Sequence, residues 1–161
     1  MQMKIIEQLL GATLLLAAIT VSDAADIVDT MAGTPDLSTL ASAIKAAGIA
    51  DLLKGRGPFT VFAPTNDAFK RLPPSAVTNL MKPENREQLM KLLTFHVVPA
   101  MLAAKDMDGK MFNVRSVNGK EIEIDADDPG EGIKINKGKI IRPDIAADNG
   151  IIHEINRVLL P

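Results

Sequence analysis

The tightest constraint on this chain is the stretch from Gly57 to Pro73, GPFTVFAPTNDAFKRLP, which reads as a strand running directly into a helix. Positions 59–63 are rich in β-branched and aromatic residues, and proline bounds the run on both sides, the mark of a short buried strand. Pro64 has no N–H to give a ladder, so the strand ends there. Thr65 comes next as an N-cap, its hydroxyl placed to accept a backbone N–H two or three residues on. Asp67 falls in the first turn, where the helix dipole favours a negative charge. Ala68, Phe69 and Leu72 give the short helix an apolar side, and Pro73-Pro74 closes it. The corner at Thr65-Asn66 is therefore a structural motif that the rest of the chain must cover.

The first 24 residues differ in character from the remainder of the chain. Lys4 precedes an apolar run from Leu9 to Val21, and Ser22-Asp23-Ala24 supplies small residues where a signal peptidase reads. Residues 1–24 are expected to be a secretory signal cut after Ala24, leaving one domain at 25–161. The rival reading, an uncleaved anchor, needs about 20 apolar residues, and this run is shorter. The product is then secreted or periplasmic, with no stable membrane anchor. Of 18 basic and 20 acidic residues, Lys4, Glu7 and Asp23 lie in the leader, so the domain carries 17 and 18. The cations are scattered, which argues against nucleic acid. With no cysteine in the chain, the domain must stand on its hydrophobic core, and thiolate chemistry is excluded.

Taken in order, residues 26–32 form a short helix with Ile27, Val28 and Met31 on one side. Asp36 is expected to cap a longer helix over 37–47, stopped by Gly48. Residues 49–53 add a turn or two, 75–81 a short helix, and Pro83 opens a helix to Thr94 with Leu89, Met90, Leu92 and Leu93 as its apolar stripe. The second half changes period. Residues 112–117 and 121–124 alternate around Asn118-Gly119, and 133–135 and 139–141 flank Asn136-Lys137-Gly138, giving two hairpins. A last strand starts at Ile151 and is expected to run to the end of the chain, buried on both faces. Helices first and antiparallel strands later make the fold class α+β.

Three segments carry a resemblance. Residues 59–69, the segment Leu92-Leu93-Thr94-Phe95-His96-Val97-Val98, and residues 149–161 resemble, in order, the first signature, the aromatic-histidine segment and the last signature of the fasciclin domain family. The departures are Phe95 in place of the usual tyrosine, and Glu154 and Asn156 in place of residues more often apolar and acidic. The resemblance implies a β-wedge of two small sheets with helices packed along one edge. It also implies a non-enzymatic module for cell adhesion, binding cell-surface or matrix proteins or polysaccharide. Phe95 and His96 lie in the segment the family links to adhesion, and Asp144-Ile145 matches an Asp-Ile pair proposed as an integrin-binding motif in animal members. The bland reading of the pair is a turn cap, and of His96 an inward-packed ring.

The remaining chemistry is sparse. His153-Glu154 begins like a zinc-protease helix, but the second histidine is missing and the segment reads as a strand. No nucleophile elbow or phosphate loop is present, so neither an enzyme nor a cofactor is expected. His153 reads as a buried histidine satisfied by polar neighbours such as the Thr65-Asn66 corner, against a pH switch or ligand contact. Asp125, Asp127, Asp128 and Glu131 gather oxygens as calcium would want, yet the spacing misses the standard loop, and a solvated turn explains them. A second functional class is a carrier for an apolar small molecule, with Met81, Met90, Met101, Met107 and Met111 along the site. The module is expected to be a monomer or a weak homo-oligomer.

Overall fold

The computed structural model describes residues 25–161, so the expected leader at 1–24 lies outside the described residues. Helix α1 (Ile27–Ala32) is capped by Asp26, whose carboxylate accepts the Asp29 N–H at 2.9 Å. A 3-10 turn (Pro35–Leu37) leads into α2 (Ser38–Ala47), and α3 (Ala50–Leu53) comes after it. Strand β1 (Phe59–Pro64) then runs into α4 (Asn66–Lys70), with α5 (Pro74–Leu80) beyond it. Another 3-10 turn (Pro83–Asn85) opens α6 (Arg86–Phe95), which hands the chain to β2 (Val97–Val98) and α7 (Ala104–Met107). The second half is β3 (Met111–Arg115), β4 (Glu121–Asp125), β5 (Lys134–Ile135), β6 (Gly138–Ala147) and β7 (Gly150–Ile155). No helix among the described residues is long and apolar enough to cross a membrane.

The strands form one ribbon in the order β2-β1-β7-β6-β5-β4-β3. The two small sheets share β6. Its first residues pair with β5, while the rest pairs with β7 through two register shifts, between Ile140 and Arg142 and between Arg142 and Ile145. Bulges of this kind bend a strand and increase its twist, which lets one strand serve both sheets. Strand β7 is parallel to β1 and antiparallel to β6. The parallel pair joins the first signature to the last, Phe59 lying opposite Gly150, a pairing that periodicity alone does not reveal.

Because side chains alternate across a strand, the β1–β7 pair feeds two cores. Val61, Ala63 and Ile152 face the helices and pack with Ile27, Leu40, Ile44 and Leu93. Phe62 and Ile155 face the other way and pack with Phe95, Met107, Ile122, Ile124 and Ile135. The structure corrects the expected pattern in two places. The last strand ends at Ile155, after which Leu159 is buried but Leu160 is 66% exposed. On α6, Leu89, Leu92 and Leu93 are buried while Met90 points outward.

Another correction concerns the start of α2. Asp36 makes no side-chain cap there. Asn66 reaches across from the corner instead. Its Oδ1 accepts the Thr39 N–H at 2.9 Å, and its Nδ2 donates to the Pro35 carbonyl at 3.1 Å and to Ser38 Oγ at 3.0 Å. Thr65 caps its own helix as expected, accepting the Ala68 N–H at 3.2 Å. One dipeptide thus caps the starts of two helices. At the other end of α2, Gly48 takes the left-handed conformation (φ 74°) and the Arg86 Nε–H donates to the Ala47 carbonyl at 3.1 Å.

Candidate functional site

The second register shift in β6 sets Pro143 and Asp144 opposite the single residue His153 of β7. Pro143 has no N–H to pair, and Asp144 adopts φ 60°, a conformation aspartate tolerates better than most residues. The Asp144 N–H, turned out of the ladder, donates to His153 Nδ1 at 3.1 Å. His153 Nε2–H in turn donates to the Leu102 carbonyl at 2.6 Å. The Asp144 carboxylate takes the Ala104 N–H through Oδ1 at 2.9 Å.

Thr60 of β1 fixes the same loop from below. Its hydroxyl donates to the Ala100 carbonyl and accepts the Leu102 N–H at 2.8 Å. Strands β1, β6 and β7 therefore each contribute one polar side chain to pin residues 100–104. Met101 stands at the tip, 47% exposed. The Asp144 side chain, held to the loop through Ala104, is 48% exposed, while the half-buried Ile145 turns to the helix-side core. This pinned loop and bulge form the candidate site, a half-exposed carboxylate on backbone held by side-chain hydrogen bonds.

His153 lies beneath that face rather than on it. It is fully buried, stacks on Phe62 with centroids 5.8 Å apart, and is held by Leu102 and Asp144, not by the Thr65-Asn66 corner. Burial lowers its pKa against the opposing effects of the Leu102 carbonyl and Asp144, so the ring is held neutral. Phe95 and His96 are 3% and 1% exposed, so neither ring is offered to a partner. His96 Nδ1–H donates to the Leu92 carbonyl at 2.9 Å, and Nε2 accepts the Leu159 N–H at 2.8 Å. The segment tied to adhesion by resemblance is internal here, and its histidine clamps the C-terminal segment to α6.

The other singled-out groups are dispersed. Met107 is core, Met81 is half-buried, and Met90, Met101 and Met111 are exposed on separate elements, so the methionines do not line one site. Asp127 and Asp128 lie on an exposed turn in which Asp128 accepts the Gly130 N–H at 2.8 Å. The neighbouring Asp125 raises the Asp127 pKa, as crowded carboxylates do. Among the described residues no three or more histidine, cysteine or acidic side chains converge as metal ligands. The feature that sequence patterns do not reveal is the pinned loop itself. Only Pro143-Asp144, a pair poorly suited to a regular strand, signals the bulge.

The fasciclin domain model matches residues 35–161. The chain belongs to the fasciclin domain family. It is 44% identical over 135 residues to protein sll1483 of Synechocystis sp., an alignment covering 84% of this chain and 73% of the relative. It is 33% identical over 135 residues to the transforming growth factor-beta-induced protein ig-h3 of Sus scrofa, covering 84% of this chain but 19% of that longer protein. The fold matches a FAS1 domain pair from the insect cell adhesion molecule Fasciclin I, with a TM-score of 0.76 and 20% identity over 85% of this chain and 51% of that one. Membership and the structural match confirm the α+β fasciclin fold.

Proposed function

We propose that this protein is an exported, non-enzymatic adhesion module that binds a cell-surface or matrix protein, or a surface polysaccharide, through the Met101 loop and the β6 bulge. The observation that carries the reading is the Asp144 carboxylate. One of its oxygens is engaged by the Ala104 N–H, and the side chain is still half exposed on pinned backbone. Preorganisation of this sort lowers the ordering cost of binding, and the charge suits a basic group on the partner. Kinship with a cell adhesion molecule supports the class of function.

Asp144→Asn removes the charge while keeping an amide oxygen for Ala104 and a residue tolerant of φ 60°. Adhesion of cells or matrix to immobilised protein is expected to fall with Asp144→Asn at unchanged thermal stability. Unchanged adhesion would remove the Asp144-Ile145 pair from the binding surface. Asp144→Ala is a poorer probe, because it strains a left-handed position and orphans an N–H, at a cost of about 1–2 kcal/mol.

Export is proposed to accompany removal of residues 1–24. N-terminal sequencing of protein recovered outside the cytoplasm should then begin within two residues of Ala25. An intact Met1 on the recovered protein would overturn that step.

A further inference from the structure

Far from the bulge, the C-terminal segment runs beside the end of α4 and the β5–β6 turn, and the three enclose a groove of about 500 Å3. Leu72, Val158 and Leu160 give it an apolar wall, and Arg71, Lys137 and Arg157 line it as well. Among the described residues, Glu123 is the one carboxylate in the lining. Among the same residues, none of these three cations lies within ion-pair distance of a carboxylate. Three free cations against one acid, in a chain of net charge −2, make a local excess that an anion would neutralise. The described lining holds no aromatic ring, which disfavours a stacked sugar. The volume lies within the range of small-molecule sites.

We propose that this groove binds a small amphiphilic organic anion, its carboxylate against Arg71, Lys137 and Arg157 and its alkyl body against Leu72, Val158 and Leu160. The site shares no lining residue with the Met101 loop or the β6 bulge, so it goes beyond the adhesion reading and stands or falls separately.

The test is a titration of 15N-labelled protein with hexanoate, octanoate and decanoate below their micellar concentrations, read by amide shifts. Saturable shifts are expected at residues 68–72, 136–138 and 157–160. Affinity should rise about threefold to fourfold per added methylene until the groove is filled. Octyltrimethylammonium, of matched length and opposite charge, should leave those amides unmoved. The double variant Lys137→Gln/Arg157→Gln should bind octanoate about fivefold to twentyfold more weakly, as loss of two partly exposed ion pairs predicts. Leu160→Asp alters an exposed residue and should also reduce binding without unfolding the chain. Asp144→Asn should bind octanoate like the parent. Absent groove shifts, equal binding of the cationic amphiphile, or an unchanged affinity in the double variant would overturn the proposal, whatever the adhesion assay reads.

Discussion

A chain ending at Asp148 is expected not to fold. The deletion removes β7, in which every residue from Gly150 to Ile155 is buried. It leaves β1 without its six-residue parallel partner and β6 without its antiparallel one. Ile152 leaves the helix-side core, while Ile155 and Leu159 leave the core beneath β3–β5. Each buried aliphatic side chain contributes about 1.5–3 kcal/mol. Ile151, Ile152, Ile155 and Leu159 together thus represent about 6–12 kcal/mol, comparable to the roughly 5–15 kcal/mol that stabilises a whole domain. Val158 and Leu160 add less, because the segment leaves the sheet after Ile155 and Leu160 faces solvent. The loss also strips His96 Nε2 of the Leu159 N–H and the Leu102 carbonyl of its His153 donor. Circular dichroism melts and amide dispersion of the truncated chain should show no cooperative transition. A transition near the parent's temperature would mean that the remaining strands form a core of their own.

The parts of this fold that are legible in the sequence are those whose causes are local. Pro64, Thr65 and Asp67 encode the strand-to-helix corner within four residues, and Asn118-Gly119 encodes a hairpin by turn chemistry. The C-terminal strand is placed by its family signature. The features that escape a reading of the sequence depend on side chains that act at a distance. Asn66 caps a helix that begins 28 residues earlier, and nothing near Asp36 reveals that its own carboxylate is not used. Asn149 does the same for α1, accepting the Ile27 N–H at 3.0 Å while its amide donates to the Leu53 and Gly55 carbonyls. The candidate site escapes for a related reason. A bulge is a relation between two strands, and neither strand carries it alone. Resemblance singles out Asp144 and Ile145, but the Thr60 and His153 contacts that hold the adjoining loop become visible only once β1, β7 and β6 lie side by side.

Acid is expected to destabilise the fold through His96, over a window its environment defines. Burial lowers its pKa to about 4, against the opposing pull of the Leu92 carbonyl. Geometry agrees, because Nε2 accepts the Leu159 N–H, and a protonated ring would set donor against donor. In the unfolded chain the same ring protonates near pH 6.5. Between those values the unfolded state binds more protons than the native one, so stability falls as pH falls. The contribution is fully present above about pH 6.5 and declines progressively to about pH 4. The difference between the two values corresponds to about 3 kcal/mol. His153 acts in the same direction, since burial lowers its pKa too. Glu154 acts in the opposite one, because burial raises its carboxyl and acid relieves that cost. The histidine effect is isolated by comparing urea unfolding of the parent and His96→Gln at about pH 7 and about pH 4, the two sides of the window. Glutamine is neutral at both, so whatever stability the variant loses at neutral pH, its further loss on acidification should be smaller than the parent's by about 3 kcal/mol. Parallel losses in the two proteins would assign the acid sensitivity to other groups.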